Sequence, residues 1–195
     1  MEGTGRLEAF SDGVFAIAAT LLVLEFSVGS GHDLGHQLLH IWPAYLAYVT
    51  SFVTIGIIWI NHHHTVSLMG RTDRTMLFVN NLLLLTIAFL PFPTKLVGDY
   101  LHRTGEQAAA LAYAGTLVLM AVLHQVWWQY ARRGRRLIDK GVPESALQAV
   151  DRAYAPGVPM YFITFVVAFF SPLAAVIITF AIAAFYLPSA ALFDR

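Results

Sequence analysis

Arg6-Leu7-Glu8-Ala9-Phe10-Ser11-Asp12-Gly13-Val14-Phe15-Ala16-Ile17-Ala18-Ala19-Thr20-Leu21-Leu22-Val23-Leu24-Glu25 is apolar enough to enter a bilayer, yet it keeps Arg6 and Asp12 at its start. An ionisable side chain within a membrane span is costly unless it faces protein or water, so it marks either a structural network or an ion pathway. No A-x-A-type cleavage site follows the run and almost no basic region precedes it, so it is expected to be a retained helix and not a removed signal.

The rest of the chain agrees with a membrane protein. Of 195 residues, 57% are hydrophobic and 12% charged, against roughly a quarter charged in soluble domains, and the mean hydropathy is +0.63. With about 20 apolar residues needed to cross, the sequence predicts an all-α, polytopic fold with six transmembrane helices at about 7–26, 41–68, 76–97, 107–130, 154–170 and 172–193. They form a single six-helix domain over 1–195, with no internal repeat. The fifth span is interrupted at its start by Pro156, Gly157 and Pro159. Pro91 and Pro93 are expected to kink or terminate the third.

Lysine and arginine are retained in cytoplasmic loops, and here they alternate. Arg6, Arg71, Arg74, the loop 131–153 with Arg132, Arg133, Arg135, Arg136, Lys140 and Arg152, and Arg195 lie on one side, against only Lys95 and Arg103 on the other. Both termini are therefore expected in the cytoplasm, in an integral membrane protein of the bacterial plasma membrane. Within the basic loop, Pro143 opens a predicted surface helix over 144–150. The Arg-Arg-Gly-Arg-Arg run is read as a topology anchor that meets anionic headgroups. Trp42, Trp127, Trp128 and Tyr130 are read as interfacial belt residues near span ends.

Net charge is zero, so no basic surface for nucleic acid is expected, and the absence of cysteine removes thiolate metal sites and cysteine nucleophiles. No P-loop, nucleophile elbow, H-E-x-x-H, dinucleotide fingerprint or T-V-G-Y-G filter occurs. His62-His63-His64 point three ways on a helix, whereas a zinc pair wants i and i+4. His32, His36 and His40 do have that spacing in the first external loop, though nothing beyond adventitious metal is expected there.

At about 100° per residue, Gly13, Ile17, Leu21 and Leu24 of the first span share a narrow arc with Thr20 on its shoulder, well away from Asp12. Phe15 and Leu22 lie on the opposite side. On an oligomer axis such an arc builds aliphatic rings, a hydrophobic gate that works by dewetting; elsewhere it is ordinary packing or lipid contact. Off the arc, Ser11 and Asp12 need partners. Trp59, Asn61, His62 and His63 of the second span and Asn80 and Asn81 of the third lie at matching depth and supply them as a group.

Arg6, Phe10, Ser11 and Asp12 fit an R-x-x-x-F-S-D signature, and with the apolar run after it the stretch resembles the first helix of the transmembrane protein 175 potassium channels. Weaker likeness continues at 59–63 and 89–94. The resemblance implies a potassium-permeable channel, not an enzyme, with no cofactor, potassium as permeant ion, and a homotetramer in the lipid bilayer, since animal members carry two six-helix repeats. It further implies that Ile17, Leu21 and Leu24 form the pore constriction and Thr20 contributes selectivity. Arg6, Phe10, Ser11 and Asp12 with Trp59, His62, His63, Asn80 and Asn81 would tie the first helix to the second and third. Two rivals remain, a proton-coupled transporter carried by Asp12 and an intramembrane metal enzyme using Asp12, His62 and His63. The first lacks paired broken helices and the second fails on ligand spacing.

Overall fold

The computed structural model describes residues 3–28 and 33–192. His32, the end of the sixth predicted span at 193, and Arg195 lie outside the described residues. In order, the elements are α1 (Gly5–Leu21) running into a 3₁₀ turn (Leu22–Glu25), α2 (Leu34–His40), α3 (Trp42–Ser67), α4 (Arg74–Phe89), α5 (Pro91–Tyr100), α6 (Glu106–Arg132) with a 3₁₀ turn (Arg133–Arg135), α7 (Glu144–Tyr154), α8 (Gly157–Ala168) and α9 (Pro172–Leu192). Four stretches among the described residues are long and apolar enough to cross a bilayer: Gly5–Glu25, Trp42–Ser67, Arg74–Tyr100 and Glu106–Arg135. The chain is an all-helical integral membrane protein.

The differences from the sequence expectation have local causes. Pro91 cannot donate to the turn before it, so Leu90 N–H bonds the Ile87 carbonyl at 3.2 Å instead, and α4 gives way to α5 there with Leu90 keeping helical dihedrals. The fifth predicted span is shorter than 154–170. Tyr154 belongs to α7, and α8 has only 12 residues, about 18 Å at the helical rise, less than the ~30 Å apolar thickness. α2 is an additional short helix, capped by Asp33, whose carboxylate accepts from His36 N–H at 3.0 Å. α7 starts after Pro143 as expected and runs through Tyr154.

α6 is the central helix, packing against α4, α5, α8 and α9. Its Tyr113, Leu117, Met120, Trp127 and Trp128 are fully buried. Trp127 and Trp128 are therefore not interfacial belt residues. The apolar face of α7, Leu147, Val150 and Tyr154, joins the same core over them, and Trp128 Nε1–H donates to Asp151 at 2.8 Å. Trp42, by contrast, is 45% exposed, and Tyr130 donates its hydroxyl to the Asp73 carboxylate at 2.9 Å.

The turn between α3 and α4 is stitched to the turn after α6. Met69 and Ile138 form an antiparallel bridge, Gly70 N–H donates to Leu137 and Asp139 N–H to Leu68, both at 3.0 Å, and Arg71 Nε–H reaches the Arg136 carbonyl at 2.6 Å. Asp73 caps α4 through Met76 N–H at 2.8 Å and accepts Arg136 at 2.5 Å. Burial opposes its charge, but the Met76 N–H, the Tyr130 hydroxyl and the Arg136 guanidinium outweigh it and hold the carboxyl below its ordinary value.

Candidate functional site

α1 has two distinct faces. Leu7, Ser11, Phe15, Ala18 and Leu22 are buried at helical spacing against α3 and α4. Opposite them, Gly13, Ala16, Thr20 and Leu21 are exposed, as are Ile17 at 61% and Leu24 at 73%. The 3₁₀ turn preserves this division. Residues three apart eclipse in a 3₁₀ helix, so Leu21 and Leu24 stay on one side while Leu22 turns inward. Thr20 donates its hydroxyl to the Ile17 carbonyl at 2.9 Å, which leaves its oxygen lone pairs unspent.

The polar groups at the start of α1 form two separate connections. In the buried one, Asn80 Nδ2–H of α4 donates to Ser11 Oγ at 3.1 Å, and Asn80 Oδ1 pairs with His62 Nε2 of α3 at 2.8 Å, which assigns the proton to His62 Nε2. The His62 ring is wedged between Phe15, centroid 5.5 Å away, and Trp127 at 4.7 Å. In the outer connection, Trp59 Nε1–H donates to Asp12 at 2.8 Å and His63 Nδ1 meets Glu8 at 3.0 Å. Glu8 and Asp12 are one turn apart on α1, and His63 and Trp59 one turn apart on antiparallel α3, so the two contacts are successive rungs of one ladder.

Other predicted members of the group stand outside it. Arg6 and Asn81 are exposed and make no hydrogen bond or ion pair among the described residues, and Phe10 is 58% exposed. Asn61 contributes its carbonyl, which accepts the Thr65 hydroxyl at 2.8 Å and the Tyr154 hydroxyl at 2.9 Å. Asp12, His62 and His63 each face a different partner, and among the described residues no three His, Asp or Glu side chains are placed to hold a metal ion. Glu8 was missing from the expected group, although its i−4 spacing from Asp12 is the signal that finds it.

A third polar cluster sits deeper. Ser51 Oγ of α3 hydrogen-bonds Thr94 Oγ1 of α5 at 2.8 Å and Tyr113 of α6 at 2.9 Å, all buried. Thr94 is the polar residue of the Pro-Phe-Pro-Thr stretch, which joins that stretch to the packing of three helices.

The chain is thus a polytopic helical membrane protein whose first helix is latched to the protein on one face and apolar and open on the other. The family described as endosomal/lysosomal potassium channel TMEM175 matches residues 6–91. A protein named a potassium channel from Chamaesiphon minutus is 39% identical over 188 residues, 94% of this chain and 93% of that protein. Another so named, from Streptomyces collinus, is 42% identical over 180 residues, 88% of this chain and 85% of that one. The crystal structure of a lysosomal potassium-selective channel TMEM175 homolog from Chamaesiphon minutus superposes with a TM-score of 0.87 at 38% identity, covering 96% of this chain and 97% of its own. The chain belongs to the TMEM175 family of potassium channels, a channel family and not an enzyme family.

Proposed function

We infer that this chain conducts potassium passively through an axial pore lined by α1 in a homotetramer. The observation that carries this is the exposed stripe of Ile17, Leu21 and Leu24, with Thr20 beside it, on a helix whose other face is locked to the protein. The four long segments with both termini in the cytoplasm fit that arrangement, α9 adding a fifth crossing and α8, shorter than the apolar thickness, packing beside it as the partial sixth. One chain with one such helix encloses nothing, so several copies must supply the wall. Aliphatic rings from Ile17, Leu21 and Leu24 would exclude water and gate by dewetting, while Thr20 oxygen lone pairs offer a cation partial replacement of its hydration. Ser11, Asp12 and their partners are structural in this scheme, holding α1 in register.

The test is cation flux and the potassium-to-sodium permeability ratio in planar bilayers. Ile17→Asn should raise flux and reduce discrimination, and Thr20→Ala should reduce discrimination alone. Val23, 50% exposed off the stripe, is the surface control; Phe15 and Leu22, 2% and 1% exposed, are packing residues whose truncation should cost stability. If Ile17 and Thr20 variants permeate as Val23→Ala does, α1 does not line the pore.

A further inference from the structure

The end of α6 carries charge that conduction along α1 does not use. After Arg132 the chain reverses through two residues with left-handed backbone, Gly134 at φ 60° and Arg135 at φ 55°. The reversal gathers Arg132, Arg133 and Arg135 around an open cleft of about 400 Å³, with Glu144 and Gln129 on its wall. Glu144 lies between two guanidinium groups, accepting Arg132 Nη2–H at 2.8 Å and Arg135 Nη1–H at 2.9 Å. Arg132 also pairs with Asp151, and Arg135 with the Val142 carbonyl. Arg133 is exposed, and its side chain has no hydrogen bond or ion pair among the described residues.

A carboxylate bridging two forked guanidinium groups occupies the geometry that arginine offers to any planar or tetrahedral oxyanion. Glu144 is half exposed, with 50% of its side chain accessible, so it can leave for water without becoming a buried unpaired charge. Its departure frees the Nη2 edge of Arg132, still anchored by Asp151, and the Nη1 edge of Arg135, still anchored by the Val142 carbonyl, beside the unpaired Arg133. The cleft terminates the Glu106–Arg135 membrane-crossing stretch, the depth at which lipid phosphates lie.

We propose that this cleft binds a phosphate-bearing anion, with Glu144 as a built-in placeholder that the phosphate displaces. A dianionic phosphate brings more charge and more acceptor oxygens than one carboxylate, so it gains Arg133 as well as the two arginines Glu144 releases. The phosphate can belong to an anionic lipid headgroup or to a soluble phosphate ester, and the chemistry at the three arginines is shared.

The test uses the full-length channel in detergent. Phosphatidic acid binding is read by native mass spectrometry against phosphatidylcholine, and glycerol 3-phosphate binding by calorimetry. Arg133→Ala should weaken binding about fivefold, the effect of one basic residue at an anionic surface, and Glu144→Gln should strengthen it several-fold by removing the competitor. Arg103→Ala, which changes net charge equally far from the cleft, should leave affinity unchanged. Phosphatidic acid alone binding assigns the phosphate to lipid, and binding of both probes assigns recognition to the phosphate itself; either supports the site. If Glu144→Gln binds no tighter than the unmodified channel, if Arg133→Ala binds equally well, or if neither probe binds, the proposal is wrong. A merely structural Glu144 would give weaker or unchanged binding on substitution, so the sign of that variant decides.

Discussion

Asn80→Ala removes the only side chain that joins α1, α3 and α4 in the buried connection, and its two lost bonds are not of equal consequence. Ser11 can turn its hydroxyl to the carbonyl one turn back, as Thr50 does to Leu46 and Thr54 to Thr50, both at 2.7 Å. His62 cannot. It is 1% exposed, and the rings of Phe15 and Trp127 fix its plane, so its Nε2–H is left buried without an acceptor. An orphaned buried polar group costs about 1–3 kcal/mol, while polar pairs between membrane helices are worth about 0.6 on average and 1.7 at most. The two ranges overlap at about 1–1.7 kcal/mol, so we expect a loss of about that size, most of it from His62.

For a chain of this length that corresponds to a fall of roughly 2–7 °C in Tm at about 2–4 °C per kcal/mol, read by tryptophan fluorescence of the detergent-solubilised protein. Trp127, stacked on His62, is a built-in reporter. The double variant His62→Phe, Asn80→Leu replaces both partners by apolar groups of similar shape, which is nearly neutral when an orphan is the main cost. It should therefore recover most of the loss. An Asn80→Ala protein as stable as the unmodified one, or a double variant less stable than the sum of the single changes, would refute the orphan account.

The remaining stability predictions concern the turns and the α3–α5 contact. Because the folded Asp73 carboxyl titrates below its ordinary value of 3.8, the stability it contributes is complete above that value and is lost as pH falls through the lower folded one; Asp73→Asn, which can still cap α4, should flatten the denaturation curve below about pH 4 and leave neutral stability reduced by about 1 kcal/mol at most. At Gly98 an added Cβ would lie 3.0 Å from Ala44 Cβ and 3.1 Å from its Cα. Gly98→Ala should therefore destabilise despite the roughly 1 kcal/mol gained in helix propensity, since forcing packed helices apart costs about 1–3 kcal/mol. Adding Ala44→Gly should restore part of the loss in the same thermal assay.

Residue types foretold the latch better than its pairing. Ser11, Asp12, Trp59, His62, His63 and Asn80 each meet a partner in the structure, and all stand out as polar groups at one depth of an apolar chain. Which of Asn80 and Asn81 faces inward was not readable, because the pair is flanked by Val79 and a run of leucines, and only the packing of Met76, Leu83 and Ile87 fixes the buried side of α4. Glu8 was not among the expected members, because its contact with His63 depends on the antiparallel register of α1 and α3. Trp127 and Trp128 sit where a belt residue would sit; Trp127 is covered by His62 of α3, and Trp128 by a helix beginning a dozen residues later that folds back over the end of α6. The amphipathic spacing of Leu147, Val150 and Tyr154 held that information, but not which surface it would cover.

The latch and the open stripe of α1 are coupled by rotation. A helix turned by one residue rotates its side chains by about 100°, so a one-residue slip would carry Ile17 from the open face toward α3 and bring an alanine in its place. Apolar packing resists such a slip through Leu7, Phe15 and Leu22, which it would pull from the core. The polar contacts are not interchangeable. Asn80 meets one hydroxyl, at Ser11, and the Trp59 and His63 rungs require carboxylates spaced by four at residues 8 and 12, with Val14, Phe15 and Ala16 beyond them offering none. A one-residue slip breaks both rungs together and strands His62. Polar groups at one end of α1 thus act with its buried apolar face to set the azimuth of aliphatic groups at the other, which gives the charge at the start of the helix a structural role.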